Sequence, residues 1–360
     1  MVDVFFLPAE AMDSQGFQRL LAPAGRIIPE KGTSLVAVKI HPGEEGNTTF
    51  VPASLVKMAV DAMELPRGRG FLTDTTVLYG GRRMSAPDYH ELAAAHGFSM
   101  PGLPPFIVAD GLRGTAEIKV DLPSWCETRT ARLAAILSET DAAVVLSHFK
   151  GHLLAGFGGA IKNLGMGFAS RGGKLFQHSS VKPRVRTKYC SGCGTCMEAC
   201  GFEAISLEGK TAVLNGARCT GCGECLQRCP FGAIGVDWNQ ESGEFIRRMT
   251  EYALAVTQAV KVKFYVNFVL NVTPDCDCMR NGGHPMVADI GVLASTDPVA
   301  LDQACLNMVT AAETIDGSTV SAPGGTDKFR ALRPETDGAV ALELGEKIGL
   351  GSREHRLMRV

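Results

Sequence analysis

AAVVLSHFKGHLLAGFGGAIKNLGMG (residues 142–167) opens as an uncharged apolar run and closes in a glycine-studded stretch. The run 142–147 reads as a strand buried on both faces, as in parallel sheets. From 147 to 167 there are two histidines, two lysines and six glycines, and no acidic residue. Three readings fit such a stretch: a tight strand–helix corner, a phosphate cradle or a catalytic centre. Neither G-x-x-x-x-G-K-[ST] nor G-x-G-x-x-G occurs in it, which weighs against the nucleoside-phosphate reading.

Further strand-like runs lie at 35–40, 70–78, 106–110, 116–120 and 264–270. Between them, 53–63, 87–97, 128–139, 244–261 and 298–312 show helical spacing or composition. Thr296 or Asp297 can cap the last of these, with Pro298 in its first turn. The alternation predicts an α/β fold with an open, largely parallel sheet. It breaks between about Pro183 and Val236, where cysteine and glycine dominate. We therefore expect three segments: 1–182 as the first part of the α/β domain, 183–237 as an insert, and 238–360 completing the domain.

The insert reads CSGCGTCMEACGFEAI and then CTGCGECLQRCPFGAI. Both halves are C-x2-C-x2-C-x3-C, and each ends in Phe-x-Ala-Ile. Three thiolates at this spacing wrap one iron–sulfur cluster, and in bacterial two-cluster ferredoxins the fourth cysteine of each run serves the other cluster. That assigns Cys190, Cys193, Cys196 and Cys229 to one 4Fe-4S cluster, and Cys219, Cys222, Cys225 and Cys200 to a second. Zinc sites use paired C-x2-C units instead. Pro230 matches the usual Cys-Pro ending, whereas Cys200 is followed by Gly201.

A formal charge of −2 gives no basic face for nucleic acid. The cationic run at 181–188 reads as a solvated linker. The first residues lack a basic n-region, and no run of about 18 apolar residues could span a membrane. Twelve cysteines in a chain without an export signal point to metal ligation in a reducing cytoplasm.

Ligands in open α/β sheets sit beyond the carboxyl ends of the strands. There the sequence places Lys39 and His41, then Asp74, Thr75 and Thr76 with Arg82 and Arg83 after them. His148, Lys150 and His152 share one face if their strand continues. Cys276 and Cys278, with Cys305 and His284 as associates, are either a further metal site or buried thiols. Asp289, Asp297 and Asp302 read as structural, and Cys126 as a small buried thiol.

Over almost its whole length the chain resembles the iron–sulfur centre proteins containing domain of unknown function 362. The phrases that carry this are VKIHPGEEGNTT, TDTTVLYGGRR, SHFKGHLLAGFGGAIKNLGMG, TPDCDC, DIGVLASTDPVALDQA and KIGLGSREH. HLLAGFGGAIK also resembles a segment of the nickel-dependent lactate racemases. That resemblance implies a general base at His152, a covalently attached nickel-pincer nucleotide on Lys162, and a nickel ligand at His178. The racemases' second catalytic histidine has no counterpart in YGGRRMS, which speaks against symmetric racemisation.

The expected function is an iron–sulfur oxidoreductase acting on a small polar substrate such as a hydroxy or oxo acid. His152, Lys162 and Lys150 would be catalytic, and Lys39, His41, Thr75 and Arg82 would hold the anionic substrate. Two clusters would relay electrons to a redox partner protein, a ferredoxin or reductase. The alternatives are a non-catalytic electron-transfer or docking protein, and a racemase- or epimerase-like enzyme.

Overall fold

Eight strands form one sheet in the computed structural model, which describes residues 1–25, 34–65, 68–178, 183–219, 223–235 and 242–360. We number them β1 (Val2–Pro8), β2 (Val36–Lys39), β3 (Gly70–Asp74), β4 (Phe106–Val108), β5 (Ala142–His148), β6 (Lys261–Val269), β7 (Gly291–Ser295) and β8 (His355–Arg359). Their spatial order is β8-β1-β7-β6-β5-β2-β3-β4. β7 runs antiparallel to β1 and β6, and the other neighbouring pairs are parallel. The fold is thus α/β with a large, mostly parallel sheet.

Every residue of β5 is buried, because helices cover both faces of the sheet. Ala143 and Val145 face one core with Leu164, Met249 and Val299. Val144 and Leu146 face the other, with Phe17, Val56 and Tyr89. The helices are α1 (Ser14–Gly25), α2 (Ala53–Ala62), α3 (Ala86–Ala95), α4 (Ala160–Gly165), α5 (Arg171–His178), α6 (Ser242–Ala259), α7 (Pro298–Ala311) and α8 (Ala339–Lys347), numbered without the shorter turns. α4 crosses α6 closely at Gly165, where an added Cβ would collide with the Met249 carbonyl. Asp297 caps α7, accepting from Val299 N at 2.8 Å and Ala300 N at 2.9 Å, an arrangement generally worth about 1 kcal/mol. Asp302, within α7, accepts from the first amides of α4, Ala160 N and Ile161 N.

Residues 128–139 differ from the expected helix. Thr130–Ala134 is a strand paired with Glu117–Asp121, and Ala135–Glu139 is a short 3-10 turn. Arg132 and Leu133 continue an in–out alternation of burial that suits a strand, and this outweighs helix-forming composition. β1, β7 and β8 were not among the expected strands. β3 stops at Asp74 rather than at 78, because Thr75 and Thr76 leave the sheet.

The cysteine-rich segment interrupts this alternation, as its composition suggests. Its flanking strands pair with each other, Arg184 with Gly235 and Val185 with Ile234. Two short helices, Thr195–Glu198 and Glu224–Arg228, repeat the same start: Gly194 and Gly223 take φ of +78° and +77°. This left-handed conformation favours glycine. No described helix is long and apolar enough to cross a membrane.

Candidate functional site

β3 and β4 extend the sheet on one side of β2, while β5 and β6 lie on the other, so the chain reverses direction of growth between β2 and β5. A crevice opens at the carboxyl ends of the strands at such a switch point. Here it holds a pocket of about 350 Å³. His41 follows β2, Asp74 ends β3 with Thr75 just after it, and Ser147 and His148 end β5; all line it.

Lys39 does not serve as an anion-binding residue. It is fully buried, with Nζ 2.9 Å from Asp74 Oδ1, 2.6 Å from Asn163 Oδ1 and 2.7 Å from the Ile40 carbonyl. Three acceptors use all three ammonium protons. Gly167 leaves the room this amine needs. Arg82 is also displaced from its expected role: it turns outward to Glu91 at 3.1 Å. Arg83 takes the pocket position, reaching Glu44 Oε2 at 3.1 Å, His41 Nε2 at 2.7 Å and the Tyr79 hydroxyl. Burial, reinforced by Arg83, pushes the His41 pKa well below its usual value, so that ring is neutral. Burial by itself would raise the Asp74 pKa, but Lys39 and the neighbouring cations outweigh it and hold the carboxylate below its usual range.

Lys150 donates to the His148 carbonyl at 3.0 Å and lies 3.1 Å from Asp277 Oδ2. His148 meets acceptors at both ring nitrogens: the Asp277 carboxylate at Nδ1 and the Leu270 carbonyl at Nε2, 2.8 Å away. The two acceptors hold the ring from both edges. Lys174 reaches in from α5, donating to Thr75 Oγ1 at 2.6 Å and to the Thr76 carbonyl. Thr75 is buried and passes its own proton to the Gly167 carbonyl. Sequence reasoning missed Lys174 and Asp277. Asp277 stood in plain view between two cysteines, but nothing local marked Lys174.

His152, Lys162 and His178 meet in this one pocket. Among the described residues Lys162 makes no hydrogen bond or salt bridge. Burial, then repulsion from Lys150, pushes its pKa down to about 7. Burial likewise brings Lys174 to about 8 and His178 to about 3. The rings of His152 and His178 stack on Phe245, at 6.0 and 4.7 Å between centroids.

His152 Nδ1 receives the backbone N–H of Leu154 at 3.2 Å and of Ala155 at 3.0 Å. A backbone amide can only donate, so Nδ1 keeps its lone pair and the neutral ring carries its proton on Nε2. Burial and Lys162 hold the pKa well below its usual value. The general-base role expected of His152 does not fit this tautomer, which offers a proton rather than a lone pair.

Cys276 and Cys278 also line the pocket, joined as a disulfide rather than as thiols or free metal ligands. A His152 ring nitrogen lies within 4.8 Å of both sulfurs. Cys305 is not their associate; its Sγ contacts Asn267 in the core. Cys126 is a buried free thiol, as its sequence context suggests.

In the insert, Cys190, Cys193, Cys196 and Cys229 line one cavity, and Cys200, Cys219 and Cys225 line another. Cys222 lies outside the described residues. Ala204 N donates to Cys200 Sγ at 3.3 Å and Ala233 N to Cys229 Sγ at 3.2 Å, from the two Phe-x-Ala-Ile repeats. Next to the second cavity, Arg171 is 1% exposed, and its Nε and Nη1 have no hydrogen-bond partner among the described residues. Its side chain stands 3.2 Å from where a Cβ on Gly223 would be. A buried guanidinium with donors to spare fits an anionic cluster held by thiolates, so the donor set and its surroundings suit 4Fe-4S groups. Leu78 lines the pocket and also packs in the insert's apolar cluster with Cys225 and Leu226.

A family model described as Domain of unknown function (DUF362) matches residues 36–307. The chain belongs to this family. Among curated proteins nothing matches. Two solved structures are similar. The lactate racemase apoprotein from Thermoanaerobacterium thermosaccharolyticum is 15% identical, with a TM-score of 0.41 over 75% of this chain and 51% of that one. A protein from Thermotoga maritima is 11% identical, with a TM-score of 0.40 over 95% of this chain and 61% of that one. The chain thus spans only half to three fifths of the length of these structures. At that distance neither likeness says what this family member binds.

Proposed function

We propose that the protein is an iron–sulfur oxidoreductase whose pocket holds a small anionic 2-hydroxy or 2-oxo acid. The observation that carries this is Lys162, a pocket-lining amine that makes no hydrogen bond or salt bridge among the described residues. Lys174 is engaged by the Thr75 hydroxyl and by the Thr75 and Thr76 carbonyls, so it adds positive charge to the pocket while Lys162 keeps its protons for a carboxylate. Arg83 and Lys150 are already paired with Glu44 and Asp277 and serve as walls of the pocket. His152 donates its Nε2 proton to the substrate's carbonyl or alkoxide oxygen. Lys162, with a pKa of about 7, gives up or takes back the second proton. A 2-oxo acid becomes a 2-hydroxy acid by gaining two electrons and two protons.

In this reading residues 183–237 form a ferredoxin-like module bound to the α/β body, functioning in a reducing cytoplasm. When bound, 4Fe-4S clusters pass one electron at a time to or from an external redox protein. Cys190, Cys193, Cys196 and Cys229 would hold one of them, and Cys200, Cys219, Cys222 and Cys225 the other. Leu78 and Arg171 put the second cavity against the pocket side of the insert.

The test uses oxalate as an unreactive probe, titrated calorimetrically. Lys162→Met should weaken oxalate binding by about tenfold or more, the usual loss for a charged hydrogen bond. Wild-type affinity should fall as pH rises through about 7, because the ammonium loses its proton there. In the variant that step should vanish, leaving the later fall from Lys174. Equal binding by both proteins would overturn the anion-site reading.

The unpartnered Lys162 amine also supports a second reading, in which it carries a covalent nickel-pincer nucleotide with His178 as a metal ligand. Added mass on Lys162 together with bound nickel would select that reading over the first.

A further inference from the structure

The disulfide in the pocket wall has no part in the reading above. In reducing compartments the disulfides that do form are usually transient and catalytic or redox-sensing. Cys276 is 5% exposed and Cys278 half-buried, and both line the pocket, with Cys278 the more exposed of the two. His152 brings a ring nitrogen within 4.8 Å of both. With Nδ1 occupied by two backbone amides, the ring has an N–H to offer rather than a lone pair. That suits a developing thiolate and does not suit a metal ion, which needs the nitrogen unprotonated.

We propose that Cys276 and Cys278 are a redox-active disulfide that exchanges with a small anionic thiol in this pocket. The thiolate of the substrate attacks Cys278 Sγ, the S–S bond breaks, and Cys276 Sγ leaves as a thiolate and takes up a proton. His152 donates a hydrogen bond to that leaving sulfur. A second substrate thiolate attacks the substrate sulfur of the mixed disulfide and releases Cys278, which is then protonated. Two thiols become one disulfide, and the protein disulfide becomes a dithiol; the reverse reduces a small disulfide. Anionic substrates are selected by the cations of the same pocket, so the substrate class rests on the anion-site reading, while the redox couple does not.

The test begins with intact, anaerobically purified protein equilibrated in dithiothreitol buffers from oxidising to reducing. Trypsin releases residues 264–280 with Cys276 and Cys278 as their only cysteines. This peptide should pass between two states differing by the mass of two hydrogens, and only the heavier state should take two alkyl groups. Cys276→Ser should abolish the transition. A peptide that stays in one state throughout overturns the redox couple.

Exchange is then followed with 2-mercaptoethanesulfonate and with cationic 2-mercaptoethylamine, as rates per thiolate. The anionic thiol should form the mixed disulfide at Cys278 about tenfold faster, as expected for electrostatic selection. Lys162→Met should erase most of that preference. Equal rates in the wild type overturn the substrate class and leave the couple established.

Discussion

Asp277→Asn should lower the stability of the protein by about 3–5 kcal/mol, the usual consequence of removing one partner from a buried ion pair. Asp277 has no exposed surface. Its carboxylate takes the Nδ1 proton of His148 at 2.9 Å, the hydroxyl of Thr49 at 3.2 Å, and faces Lys150 at 3.1 Å. An amide of the same shape would leave Lys150 buried without its counter-charge. Burial by itself would raise the Asp277 pKa, yet His148 and Lys150 outweigh it and hold it well below the carboxylate range. A depressed folded pKa gives stability that is complete above the unfolded value of about 4 and is lost as pH falls through the folded one. Urea unfolding at pH 7 should therefore separate wild type from variant, with the gap closing in acid. Equal midpoints at pH 7 would show that the pair contributes nothing.

The second large effect concerns the cluster ligands, and paired substitutions decide it. If the cysteines lining one cavity share one cluster, Cys190→Ser should cost about half of the bound iron and sulfide. Adding Cys229→Ser should cost no more, because both residues face the same cavity. Combining Cys190→Ser with Cys200→Ser should remove nearly all of it, since Cys200 faces the other cavity. Were each run of four to serve its own cluster, the two double variants would exchange behaviours. Iron and sulfide analysis of anaerobic protein reads the result directly.

The two effects differ in how visible they were beforehand. Cysteines at i, i+3 and i+6 announce themselves, since neighbours in sequence must be neighbours in space. The strand at 142–147 was equally plain, because burial on both faces demands an unbroken apolar run. Residues 128–139 were misread because composition spoke for helix while the pairing with Glu117–Asp121 was invisible. Arg82 and Arg83 were indistinguishable in the sequence, and only the turn after β3 chose which side chain points inward.

The sequence by itself determined the α/β class, the interrupted alternation, the cysteine spacing, and the gathering of charge at strand ends. Periodicity and spacing are local properties, carried by residues a few positions apart. The tertiary structure alone decided that Lys39 belongs to Asp74, that Asp277 holds His148 from 129 residues away, and that Lys162 has no hydrogen-bond or ion-pair partner among the described residues. It also decided the proton position on His152, which depends on the turn bringing two amides to one nitrogen. Such choices follow from strand order and from competition among buried charges, and no local pattern encodes either.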